Sequence, residues 1–97
     1  TPVFYLLSLP GLVKVARTHG YALAVHGSLA RDLDVIACPW TEDAADPEVL
    51  VEALRERVGG VTDSKVTPRP HGRQGYVIHL GGGPYIDLAV MPKRANV

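Results

Sequence analysis

The run DLDVIACP, Asp32 to Pro39, restricts this chain more than any other stretch. Its apolar centre reads as a buried strand that Pro39 closes. Alternate side chains of a strand share a face, so Asp32 and Asp34 point one way and Leu33 and Val35 the other. A carboxylate taken out of water without a partner is costly, and two side by side are worse. Either a positive group sits beside these acids, or the segment is not the strand its apolar residues suggest.

The flanking sequence supplies the other elements. Thr1-Pro2 and Ser8-Leu9-Pro10 both read as helix starts, with a hydroxyl shortly before a proline. From Pro10, the residues Leu12, Val13 and Ala16 recur at helical spacing, and Gly20 is the expected stop. YALAVHG, Tyr21 to Gly27, reads as a mostly buried first strand. The clearest helix follows Asp46, its expected cap, with Pro47 in the first position. Its apolar stripe is Val49, Leu50, Ala53, Leu54 and Val58, and Gly59-Gly60 end it. VTDSKVTP is expected to be an edge strand, because Pro68 and Pro70 forbid a central one beyond it. YVIHL and YIDLAVMP flank Gly81 to Gly83 as a hairpin. Helix, strand, strand, helix and further strands predict an α+β, or compact α/β, domain: a mixed β-sheet with helices packed on it.

At 97 residues the chain has room for one domain, residues 1–97, with one modest core. No apolar run is long enough to span a membrane. Lysine plus arginine and aspartate plus glutamate balance at 10 each, so bulk charge indicates neither nucleic acid nor a membrane surface as partner. The lone cysteine, Cys38, excludes an internal disulfide framework and fits a reducing, cytoplasmic setting. The start TPVFYLLSLP has no basic region and contains Pro10, so it reads as a poor signal peptide.

A third acid, Asp87, sits between Ile86 and Leu88. If its strand neighbours the one opened by Asp32, all three aspartates converge at one edge of the sheet. Clustered carboxylates repel one another unless a cation neutralises them, and oxygen-only ligands at a strand end suit Mg²⁺. Taken singly, Asp-x-Asp is equally a solvated edge, a cap or a partner for Arg31, and Asp87 a salt-bridge partner for Lys93 or Arg94. The combination shifts the balance: Gly27-Ser28 after a strand, Asp-x-Asp opening the next, then an apolar-flanked Asp87.

Gly27-Ser28, Asp32-Leu33-Asp34-Val35 and Ile86-Asp87-Leu88 together resemble the signature of the polymerase-beta-like nucleotidyltransferase superfamily. The phrase GSLARDLDV is similar to the motif of its small, antitoxin-type members, and the order of elements agrees over most of the chain. A looser similarity is to short, uncharacterised phage proteins. The resemblance implies a minimal nucleotidyltransferase-like fold, Mg²⁺ as cofactor and a nucleoside triphosphate as ligand. It makes Asp32, Asp34 and Asp87 both metal-binding and catalytic, with Asp87 also activating the attacking group. Gly27 would let a phosphate approach the backbone, Ser28 would hold it, and Arg31 would add a contact. The expected chemistry is transfer of a nucleoside monophosphate to a protein or small acceptor. The chain departs from the family in the step from Ser28 to Asp32, which holds only Leu29, Ala30 and Arg31. That contraction favours the alternative, a catalytically degenerate binding module, antitoxin-like or a phage accessory protein. A homodimer or a protein partner would complete a site this small.

Other candidates are weaker. A zinc site of His26, Cys38 and His79 lacks any paired-ligand spacing. GGGP is a turn, since no Lys-Ser/Thr and no helix follow it. Ser28 is not in a nucleophile elbow. Arg69, His71 and Arg73 in PRPHGRQG form a loop able to close over a polyanion. His79 is expected to be a half-buried strand residue, and Trp40 to cover one end of the core.

Overall fold

The computed structural model describes residues 2–27, 29, 31–63 and 65–93. Helix α1 (Pro2–Thr18) leads into strands β1 (Tyr21–His26) and β2 (Asp32–Pro39), and helix α2 (Pro47–Val58) follows. Two short strands, β3 (Val61–Thr62) and β4 (Thr67–Pro68), precede a single 3-10 turn at Pro70–Gly72 and the hairpin of β5 (Gln74–His79) and β6 (Tyr85–Val90). The sheet runs β1-β2-β6-β5-β3, with β4 also on β5. Only β2 and β6 are parallel, which makes the sheet mixed and the fold α+β.

Strand alternation decides which face is core. Leu33, Val35 and Ala37 of β2, Tyr76 and Ile78 of β5 and Ile86, Leu88 and Val90 of β6 are buried in one cluster. Tyr5, Leu12 and Ala16 of α1 and Leu50, Val51 and Leu54 of α2 join the same cluster, so both helices cover one face. The other face, which carries Asp32, Asp34 and Asp87, has no helix over it. The parallel pairing follows from the connections: α2 carries the chain from β2 across the core face to β3, β5 runs antiparallel to β3, and the hairpin turns β6 back antiparallel to β5 and so parallel to β2.

Two tyrosine hydroxyls, one on α1 and one on β1, bond carbonyls of the loops. Tyr5 donates to the carbonyl of Arg31 at 2.6 Å and Tyr21 to that of Ala45 at 2.7 Å. No helix is long and apolar enough to cross a membrane among the described residues.

Several local expectations change. The two proline-marked starts belong to one 17-residue helix, with Pro10 inside it. Packing of Tyr5, Leu12 and Ala16 on the sheet outweighs the one hydrogen bond a proline removes. Asp46 stands at the start of α2 but its side chain makes no capping bond; it accepts from Lys93 Nζ at 2.8 Å instead. In the α2 stripe, Leu50 and Leu54 are buried, whereas Val49 is 51% exposed and Val51 takes its place in the core. The expected edge strand is broken into β3 and β4. Trp40 does not cover the core: it is 79% exposed, while its backbone N–H ties the end of β2 to the α1–β1 turn by donating to Gly20 O at 2.7 Å. The expected turn at Gly81 to Gly83 is present, and all three glycines have positive φ.

Candidate metal centre

The parallel register of β2 and β6 brings the three acids together. Asp34 lies opposite Asp87 and Asp32 opposite Tyr85, all on the helix-free face. One carboxylate oxygen from each of Asp32, Asp34 and Asp87 lies within 4.8 Å of the other two, at positions neither fully buried nor fully exposed. Single-residue steps along either strand would have sent one acid into the core, so the grouping depends on the register.

Gly27 makes room for it. Its φ of +79° is the left-handed region that glycine adopts without strain. A Cβ there would overlap a carboxylate oxygen of Asp34. His26, the register partner of Asp34, stands on the same face.

Like charge dominates the electrostatics. Burial pushes the Asp34 carboxyl above the usual carboxylate range, and the hydrogen bond and charge of Asp32, then the charge of Asp87, push it further. His26 pulls the other way. The Tyr85 phenol is also pushed up, chiefly by the negative charge of Asp32.

One cation already touches the group. Arg69, between β4 and the 3-10 turn, donates from Nη2 to Asp87 Oδ1 at 2.9 Å, with both side chains partly shielded from water. Its guanidinium lies across β5 at Gly75, where a Cβ would come within 2.6 Å of Nε. Arg69 N–H donates to Arg73 O at 2.9 Å, which holds the loop in place. When ionised, three carboxylates and one guanidinium carry −3 + 1 = −2, the charge that one divalent cation cancels. Oxygen-only donors this close suit a hard ion that keeps several waters, such as Mg²⁺.

The remaining expected residues divide. Gly27 adjoins the cluster. Arg31 is exposed, makes no ion pair among the described residues and gives only its carbonyl, to Tyr5. Ser28, expected to hold phosphate, and Arg94, a candidate partner of Asp87, lie outside the described residues. Lys93, the other candidate partner, bonds Asp46. His79 is exposed rather than half-buried and contacts Asp63 Oδ1 at 2.8 Å. His26 and Cys38 stand at opposite ends of the β1–β2 pair, too far apart along the strands for a shared zinc. Sequence reasoning missed Tyr85 and the pairing of Arg69. Tyr85 was within reach, since it lies two residues before Asp87 and so shares its face. Nothing in the sequence signals that Arg69 crosses Gly75.

No protein-family model, curated protein or solved structure matches this chain.

Proposed function

We propose that the chain is a minimal nucleotidyltransferase-like protein that binds a divalent cation and a nucleoside triphosphate and passes the nucleoside monophosphate to an acceptor hydroxyl. The observation that carries this reading is the convergence of Asp32, Asp34 and Asp87, within 4.8 Å, from two adjacent parallel strands onto an open sheet face. These three residues would hold Mg²⁺, which when bound supplies charge neutralisation for the entering and leaving oxygens. The acceptor oxygen bonds to the α-phosphorus as the bond to the bridging oxygen of the β-phosphate breaks. Pyrophosphate leaves with that electron pair, and the hydroxyl proton passes to Asp87. The open face admits both ligands, since no helix lies over it.

A second reading has its own support. Gly27 and Asp32 are only a five-residue step apart, Leu29 takes a left-handed φ of 62°, and no helical turn is assigned at the described positions between them. A cradle for a triphosphate needs backbone N–H groups converging on it, as at a helix start. The contracted step therefore favours a binding module that keeps the acids without transfer.

Incubation with each of the four α-³²P-labelled ribonucleoside triphosphates and Mg²⁺ or Mn²⁺ separates the two. Transfer predicts label on the protein or on an added acceptor, lost in Asp32→Asn/Asp34→Asn. Cation-dependent binding without label would select the second reading. Absence of cation-dependent binding for all four nucleotides would overturn the first.

A further inference from the structure

The two edges of the sheet are built differently. At one edge, β3 and β4 are two residues each and β4 contains Pro68, so no long row of free backbone groups is offered. Short strands and prolines are the usual means of blocking strand addition. The other edge is β1, Tyr21–His26, paired only with β2 among the described residues. It is six residues long, in unbroken register with β2, and contains no proline, lysine, arginine, aspartate or glutamate. None of the protective devices is present.

The helix above this edge continues the same surface. α1 packs over β1 and β2, with α2 beside it. Gly11 marks the flank of α1 that faces α2, because the Arg57 guanidinium lies against it. At about 100° per residue, Leu6, Leu9 and Val13 lie roughly 140–160° round the helix from Gly11, on the flank above the free edge. Leu6 is 55% exposed, Leu9 and Val13 are half-buried, and Val25 of β1 is 38% exposed. From Pro2 to Val13 no residue is charged.

We propose that this edge is a homodimer contact, in which β1 pairs antiparallel with β1 of a second copy and the two α1 helices lie side by side. The inference is independent of the nucleotidyltransferase reading. A second copy fits because the surface is self-complementary. A two-fold axis perpendicular to the sheet at Ala24 sets Ala22 opposite His26 and His26 opposite Ala22, with like faces matched as in the β1–β2 pair, so each strand supplies the donors and acceptors the other lacks. The same axis keeps both helical layers on one side and brings the uncharged Leu6–Val13 stretch of one flank against its copy, with the exposed Arg17 at the flank's C-terminal end. The two acid clusters then open on a common face.

Cys38, the lone and exposed cysteine, gives the test. It lies opposite Ala22 on β2. Three strand spacings of about 4.8 Å and an offset of four residues at about 3.4 Å place the two Cys38 Cα atoms about 20 Å apart. Light scattering at 5–200 µM, by order of magnitude the usual range for a specific contact, should give twice 10.4 kDa. Nitroxides on Cys38 should show a separation of about 15–25 Å, the backbone figure widened by label length. Leu6→Lys/Val25→Lys should be monomeric, its dimer dissociation constant raised at least about 100-fold by like charges meeting across the axis, with an unchanged circular dichroism spectrum. A monomeric wild type, a label separation beyond about 35 Å, well outside what strand pairing allows, or a folded double variant that still dimerises would overturn the proposal. If the double variant does not fold, the wild-type mass and label distance decide.

Discussion

Asp34→Asn should lower the affinity for Mn²⁺ at least about 100-fold, the upper end of the loss from disturbing even an outer-shell partner. Asp34 stands between Asp32 on its own strand and Asp87 across the register, so its loss leaves the other two without their bridge. In the presence of a chelator the same substitution should do the opposite to the fold. The folded protein holds the Asp34 carboxyl above its usual range, through burial and then through Asp32 and Asp87. The folded state therefore binds its proton more tightly than the unfolded chain does. Cation-free stability is then highest below the unfolded carboxylate range and falls as pH rises through the folded value. Asp34→Asn removes that slope, so its melting temperature should exceed the wild type's at neutral pH and converge with it in acid. At a partly exposed site solvent screens the repulsion, and the gain should be about 2–4 °C. Titration calorimetry with Mn²⁺ and melts across pH in chelator read the two effects separately. Unchanged Mn²⁺ affinity would remove Asp34 from the cation site.

Leu88→Ala should destabilise the fold by about 3 kcal/mol, within the range for a fully buried leucine. Leu88 is 0% exposed and lies next to Asp87 on a central strand, where its side chain enters the helix-side core as the aspartate faces outward. In a domain of this size that loss corresponds to a melting temperature lower by roughly 12–24 °C. Val49→Ala supplies the contrast: at 51% exposure it should change stability by less than about 0.5 kcal/mol. Urea denaturation of both variants checks the pair. Equal costs would contradict the placement of the two residues.

Those two positions show what the sequence made legible. Alternation in DLDVIACP and YIDLAV was enough to divide both strands into an apolar and an acidic face, and the acids were found from that division. The parallel pairing of β2 with β6 agrees with it, because its register sets Asp34 directly opposite Asp87 on one side. The ends of α2 were equally plain, since Pro47 can start a helix and Gly59 takes the left-handed conformation that ends one. Its inner face was not plain: Val49 and Val51 are both apolar, and which one is buried depends on how the helix is rotated against the sheet. Pro10 misled for a similar reason, since the signal is local and the packing that overrides it is not. Arg69 is the furthest from sequence reach. Its role depends on β4 pairing with β5 and on the missing side chain of Gly75, contacts between segments that carry no pattern of their own.

The central claim is that Asp32, Asp34 and Asp87 form a divalent cation site. Anomalous diffraction from crystals equilibrated with Mn²⁺ tests it most directly. The account predicts a peak among the three carboxylates, with Mn–O distances of about 2.1–2.3 Å, near those of other hard divalent ions. A cation bound elsewhere, or none, with Arg69 as the sole positive group on Asp87, would contradict it.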